Sequence, residues 1–187
     1  YRPIALNSHV GKLMERVILN RLTYFCDKNN VIPNVQAGFR KNRSTIDHLV
    51  KFTTHIKKQF GRRKSVLATM FDITKAYDQV WNSRLLLKLK NIGLSGRIYD
   101  YIKSYLSGRC IQAKVGNSYS SSMSLEMGIP QGSVIAPLLF NILIHDLPSV
   151  VSKHLNVVQY ADDLAIWLNC SLKKKTCKRY VNHIQNI

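Results

Sequence analysis

Apolar residues keep a helical spacing in some stretches of this chain and a strand-like spacing in others. Ser8 is placed to cap a helix in which Val10, Leu13, Met14, Val17, Leu22 and Phe25 recur, running to about Asp27. A connector at Asn29–Pro33 and a basic, turn-like Gly38–Arg43 follow. Ser44 or Thr45 then caps a second helix with the stripe Ile46, Leu49, Val50, Thr53, Ile56 and Phe60; His48, Lys51, His55 and Lys58 fall largely off it. Both stripes are expected to be core faces. A charged loop, Gly61–Lys64, leads into Ser65–Asp72, apolar enough for a buried strand. After a turn through Thr74–Trp81, helices are predicted at Leu85–Leu89 and Ile98–Leu106, broken around Gly93–Gly96 and stopped by Gly108. Cys110–Val115 and Met123–Met127 alternate as strands do. Gly128–Ser133 is a loop, and Val134–Leu147 a helix apolar on nearly every side, hence buried. Leu155–Val158 and Leu164–Leu168 form the strands of a hairpin. This order predicts an α+β fold, an antiparallel sheet with helices packed on one face.

The tip of that hairpin is Tyr160-Ala161-Asp162-Asp163. Adjacent like charges repel, so stability gives no reason to pair them. A divalent cation does, because carboxylates are the usual protein ligands of magnesium, which keeps its other positions for water and phosphate oxygens. The competing reading is an ordinary acidic turn. Asp72 ends the apolar strand Val66–Phe71 and could meet the pair if both strands share a sheet. Three converging carboxylates with no histidine nearby would suit two magnesium ions and phosphoryl or nucleotidyl transfer. Asp78 lies past the strand end, where capping or a surface role is preferred to metal binding. Gly128-Ile129-Pro130-Gln131-Gly132-Ser133 enters the buried helix. Its glycines allow close backbone approach to a ligand and the helix N-terminus favours anions; a tight strand-to-helix turn explains it equally well. Arg2 and the cluster Arg40, Lys41 and Arg43 could hold phosphates, although a charge run is usually a solvated surface.

Charge sharpens the picture. The 187 residues carry 28 Lys and Arg against 10 Asp and Glu, a net +18, while the hydrophobic fraction of 45% is that of a globular chain. Self-repulsion of that size points to a polyanionic partner, nucleic acid first and an anionic membrane second. The basic residues are spread over several segments, as for a groove lined from several elements. A membrane-spanning role is disfavoured: Val134–Ile144 is too short and contains Pro137 and Asn141. Cys26, Cys110, Cys170 and Cys177 form no CxxC pair and are expected to be reduced intracellular thiols; the six histidines show no zinc spacing. Starting on Tyr1 and ending in a helix-like Lys173–Ile187, the chain is expected to be an excerpt of a longer protein.

The same segments, taken in order, resemble the blocks of a reverse transcriptase, specifically of non-LTR retrotransposons of the Jockey or I-factor type. Tyr1–Leu6 with Gly11–Arg16 resembles the opening fingers block, and Gln36-Ala37-Gly38-Phe39-Arg40 through Thr45 the second. Phe71–Asp78 resembles the first catalytic block, Gly128–Asn141 the Pro-Gln-Gly block and Tyr160–Asp163 the Tyr-x-Asp-Asp block. Tyr105–Arg109 is similar to a spacer typical of the non-LTR group.

The resemblance implies a right-hand polymerase palm at residues 65–187, truncated before the thumb, with partial fingers at 1–64. It implies template-directed deoxynucleotidyl transfer to a primer 3′-hydroxyl. Asp72, Asp162 and Asp163, assisted by the Ile73 carbonyl, would hold two magnesium ions, with manganese as the alternative. Backbone N–H groups of Lys75 and Ala76 would approach the triphosphate, with Arg2 as its cationic clamp. Tyr77 would exclude a 2′-hydroxyl, core packing being its competing role; Gln131 and Gly132 would contact nucleotide and template. Phe39, Arg40, Lys41 and Arg43 would lie along the template. Expected partners are template RNA, a DNA primer, deoxynucleoside triphosphates and the thumb and endonuclease regions of the parent protein, with no membrane. The location would be intracellular, in the nucleus or a cytoplasmic ribonucleoprotein.

Nothing resembles the lysine-bearing block after the hairpin, the primer grip, thumb, endonuclease or ribonuclease H, so the fragment is expected to be inactive alone. Two alternatives remain: a non-catalytic RNA-binding domain derived from a polymerase, and an RNA-dependent RNA polymerase. The first would be expected to lose carboxylates, and all three are present. The second typically has an Asp five residues after the first catalytic Asp, where this chain has Tyr77. A basic membrane-surface protein lacks the amphipathic basic helix it would need.

Overall fold

The computed structural model describes residues 4–151 and 155–170; Arg2 and the predicted helix at 173–187 lie outside them. In chain order these residues form α1 (His9–Lys28), α2 (Thr45–Gly61), β1 (Ser65–Phe71), α3 (Asn82–Asn91), α4 (Arg97–Leu106) and β2 (Arg109–Ile111). Then come β3 (Lys114–Val115), β4 (Ser118–Tyr119), β5 (Met123–Leu125), α5 (Ala136–Leu143), α6 (Leu147–Val150), β6 (Asn156–Tyr160) and β7 (Asp163–Cys170). Among the described residues no helix is long and apolar enough to cross a membrane. The chain divides into two compact units, 1–31 with 75–143 and 32–74 with 144–187.

The second unit is built on an antiparallel sheet of order β1-β7-β6. Side chains alternate between its faces, so the register assigns each residue a side. Leu164, Ile166 and Leu168 of β7 share a face with Leu67, Phe71 and Val157 and are covered by Leu147, Val151 and Leu155. The opposite face carries Trp167, against which Phe52 and His55 of α2 set their rings edge-on at 5.0 and 5.9 Å. His48, one turn earlier, meets Tyr160 edge-on at 6.4 Å. Burial, with Lys51 nearby, holds the His48 pKa below its ordinary value. The free edge of β6 is covered by the Val35–Ala37 segment, through Gln159 N–H to Val35 O and Ala37 N–H to Gln159 O, both 2.9 Å.

The α2 stripe expected from periodicity is therefore not the buried one. Leu49 and Phe60 are 59% and 64% exposed, and Ile46 and Val50 are exposed as well. The face set against the sheet is His48, Phe52, His55 and the buried Gln59. Rings that can lie edge-on to Trp167 and Tyr160 decide that contact, and His55 Nε2 also reaches Asn169 Oδ1 at 2.6 Å. At the N-terminus of α2 the Asp47 carboxylate accepts from the Ser44 N–H at 2.7 Å, as Ser44 was expected to begin the helix.

The first unit is helical. Leu85 and Leu89 of α3, Ile102 and Leu106 of α4, and Leu139, Phe140 and Ile142 of α5 are buried. In α1 the inward line is Glu15, Ile18, Leu22 and Cys26, whereas Val10, Leu13, Met14 and Val17 of the expected stripe are exposed. Burial, with Asp27 adjacent, pushes the Cys26 thiol up to about 12, so it stays protonated. The helix expected over 134–147 ends at Leu143, where the Lys88 ammonium donates to the Leu143 carbonyl, and α6 starts separately. Pro148 has no N–H to offer the Ile144 carbonyl, so an uninterrupted helix would lose that bond. Between α4 and α5, β2 pairs with β5 and β3 with β4, making an arm whose residues 110–124 are all exposed.

The two faces of α2 are expected to answer differently to mutation. Phe52→Ala should lower stability by about 3 kcal/mol, while Leu49→Ser should stay within about 0.5 kcal/mol. Denaturant midpoints of the two variants check this; equal losses would restore the periodic stripe as the buried face.

Candidate active site

β1 and β7 belong to one sheet, with Phe71 opposite Leu164. Asp72 is therefore the next position along, level with Asp163 at the same end of the sheet. Tyr160 pairs with Asp163, leaving Ala161 and Asp162 as a two-residue hairpin loop. Asp72 and Asp163 are exposed and Asp162 is half-buried. All three acidic residues thus gather at one sheet end, and Ile73 follows directly. Among the described residues no three His, Cys, Asp or Glu side chains stand converged as a ready-made metal cage. The donor set still fits magnesium, which is commonly held by one or two carboxylates together with substrate phosphates.

Ala161 has φ 54°, in the left-handed region where a two-residue hairpin loop usually places glycine. Gln36 holds it there. Its Oε1 accepts from the N–H of Ala161 at 2.9 Å and of Gly38 at 2.8 Å, and its Nε2 donates to the Ala161 carbonyl at 3.2 Å. Two converging backbone N–H donors can be met only by an oxygen, which fixes the orientation of the amide. Gly38 permits the approach: a Cβ there would sit 2.2 Å from the Ala161 nitrogen.

The Pro-Gln-Gly loop belongs to the helical unit and is held from several sides. Gln131 Nε2 donates to Asp78 Oδ1 at 3.1 Å, Gly128 N–H to Val80 O at 2.8 Å and Ile129 N–H to Tyr77 O at 2.9 Å. The Arg109 guanidinium donates to the Gly128 carbonyl. A Cβ on Gly128 would press on the Asp78 carbonyl at 2.9 Å, and its φ of 88° is left-handed. Asp78 is exposed and serves this loop. Gly132 is exposed and Gln131 half-buried, and Ala5 N–H donates to the Gln131 carbonyl at 2.7 Å.

Where the loop enters α5, Glu15 is 3% exposed. Its Oε2 accepts from Ser133 Oγ at 2.7 Å and from Val134 N–H at 2.6 Å, and a longer contact runs to Ile135 N–H at 3.4 Å. A carboxylate buried this deeply needs such donors. Tyr105 completes the chain by donating to Ser133 Oγ at 2.6 Å. Upstream, Lys75 has φ 51° and its carbonyl accepts from Asp78 and Gln79 N–H. Ala76 is buried, and Tyr77 stacks on Phe140 at 5.2 Å and 16°.

The Phe39–Arg43 segment lies in the sheet unit. Phe39 is exposed with φ 57°, and Lys41 and Arg43 are exposed. Arg40 Nη1 donates to the carbonyls of Pro33 at 3.1 Å and Gln36 at 3.3 Å, stapling the loop, and Arg43 donates to Asn34 Oδ1 at 3.3 Å. Sequence reasoning missed Gln36 and Glu15 as site-shaping residues. No local signal marked either: Glu15 lies off the most apolar stripe of α1, and the Ala161 partner of Gln36 is 125 residues away along the chain.

Along residues 1–187 the chain matches the family model described as reverse transcriptase (RNA-dependent DNA polymerase). The chain belongs to the reverse transcriptase family. Among curated reverse transcriptase relatives, it is 37% identical over 172 residues to the probable RNA-directed DNA polymerase from transposon BS of Drosophila melanogaster, covering 89% of this chain and 19% of that protein. It is 33% identical over 183 residues to the RNA-directed DNA polymerase from mobile element jockey of Drosophila funebris, covering 95% of the chain and 19% of the relative. The chain thus spans about a fifth of the length of these relatives. These are transposon polymerases of the group its motifs resemble. The fold is shared with telomerase from Candida albicans, at a TM-score of 0.59 and 14% identity over 94% of this chain and 32% of that one. As a reverse transcriptase, the chain has the right-hand polymerase fold that its motifs implied.

Burial pushes the Tyr105 phenol up to about 12, with Glu15 adding to the rise and the Ser133 hydrogen bond opposing it. An unfolded tyrosine ionises near ~10. The stabilisation linked to this shift is therefore complete below about pH 10 and lost as pH rises through about 12. Tyrosine absorbance should show one phenol ionising near 12 that is absent from Tyr105→Phe, and the variant's stability should fall less steeply across that window.

Proposed function

We propose that this chain is the polymerase core of an RNA-directed DNA polymerase, adding deoxynucleotides to a primer 3′-hydroxyl under the direction of an RNA template. In this reading residues 1–64 are partial fingers and 65–187 the palm. The observation that carries it is the register that sets Asp72 level with Asp163 at the end of one sheet, with Asp162 in the adjoining loop. Asp72, Asp162 and Asp163, with the Ile73 carbonyl, would hold two magnesium ions; when bound, these would acidify the primer hydroxyl and stabilise charge on phosphorus and pyrophosphate.

The remaining roles fall to the chain itself. Left-handed Lys75 with Ala76 makes a turn whose N–H groups suit a triphosphate oxygen. Gln131 is oriented by Asp78: with Nε2 committed to that carboxylate, its Oε1 is turned toward other donors, such as a nucleotide edge. The Tyr77 ring is steadied by Phe140, as a steric barrier to a 2′-hydroxyl must be. Arg2 as a phosphate clamp and Phe39, Lys41 and Arg43 along the template complete the reading, with a role for Arg40 through the loop it staples. The net charge of +18 supports a nucleic-acid partner. Spanning about a fifth of the length of its relatives, residues 1–187 by themselves should not turn over.

In the full-length protein that carries this chain, primer extension on an RNA template should vanish in Asp72→Asn and Asp162→Asn while template–primer binding persists. Unimpaired extension in either variant would overturn the assignment. Tyr77→Ala should raise ribonucleotide incorporation relative to deoxynucleotide by about tenfold or more. Unchanged selectivity in a variant that still extends a DNA primer would place the sugar gate elsewhere.

A further inference from the structure

We infer that Gln36 is a positioning residue for the catalytic turn: its side-chain amide holds Ala161 in the left-handed conformation and so sets where the Asp162 and Asp163 carboxylates stand. The inference rests on the polymerase reading above and assigns that site a residue outside its acidic set. Gln36 is 1% exposed, so every polar atom it carries must find a partner within the protein. It finds them on the turn. Oε1 takes the Ala161 N–H, Nε2 gives to the Ala161 carbonyl, and both peptide groups flanking Ala161 are thereby held by one planar side chain. Gln159 Nε2 adds a longer contact to the same carbonyl at 3.4 Å.

A non-glycine residue in the left-handed region carries backbone strain, because its Cβ crowds the neighbouring carbonyl oxygen. Without the amide, Ala161 gains by rotating toward extended backbone, and because Asp162 is its immediate neighbour, that rotation swings the carboxylates. The clamp is itself anchored. Oε1 also takes the Gly38 N–H, and the adjoining backbone is laced to β6 through Val35, Ala37 and Gln159. Gly38 leaves room for the turn that no side chain would leave. The next residue, Phe39, opens the segment assigned to the template, so the clamp ties that segment to the acidic turn by direct hydrogen bonds.

The test uses the full-length protein on an RNA template annealed to a DNA primer, with Gln36→Ala and Gln36→Glu. In each preparation the maximal rate, the nucleotide KM and the template–primer Kd are measured together. For Gln36→Ala we expect kcat to fall about 100-fold, as for a displacement on the order of 1 Å, with KM and Kd unchanged. Gln36→Glu should be equally impaired at high pH and should recover toward wild type as pH falls. A protonated carboxyl offers one donor and one acceptor, as the amide does, and burial raises its pKa into the accessible range. The Gln36→Ala rate relative to wild type should not change with pH. Wild-type rates in both variants, a pH-independent Gln36→Glu defect, or loss of rate and template–primer binding in proportion would each overturn the proposal. A wild-type protein that fails to extend the primer would overturn the polymerase reading and this inference together.

Discussion

The pairing of Phe71 with Leu164 fixes everything that lies beyond it. An antiparallel register has a period of two, so a slip of one residue would turn Ile166 and Leu168 out of their core and take Asp72 away from Asp163. The apolar side chains on the covered face enforce the register; the acidic residues are carried by it. The positions of the acidic residues are thus set by side chains with no charge on the same strands.

Two buried polar groups then refine what the sheet and the helices set coarsely. Gln36 serves the acidic turn in one unit, and Glu15 serves the mouth of α5 in the other. In both cases the partners are backbone N–H groups that secondary structure leaves over. A helix start and a tight hairpin loop necessarily contain such orphans, and a buried acceptor answers them more rigidly than water could. Each group is costly to bury alone and well satisfied where it is.

Much of this was legible in the chain and the rest was not, for physical reasons. Asp72, Asp162 and Asp163 could be seen because a strand end and a hairpin tip are local features. The element order was visible for the same reason, as was the burial of the α5 helix. The inward faces of α1 and α2 were not. Periodicity names the most apolar stripe, whereas α2 meets the sheet through His48, Phe52 and His55, and α1 turns Glu15 inward because Ser133 and Val134 wait for it. Those partners lie more than a hundred residues away along the chain, beyond any window in which a pattern can be counted. Gln36 was hidden likewise: nothing near it in sequence says that its amide will meet residue 161.

The exposed arm between β2 and β5 has a practical consequence. From Cys110 to Ser124 no residue is buried, and the two-residue loop Gly116-Asn117 at its tip joins β3 to β4. Exposed loop tips of small and polar residues are where chains accept insertions and where proteases cut first. Gly116-Asn117 is accordingly a natural place to attach a tether, an affinity tag or a fluorophore. The exposed thiol of Cys110 offers a chemical handle at the base of the same arm.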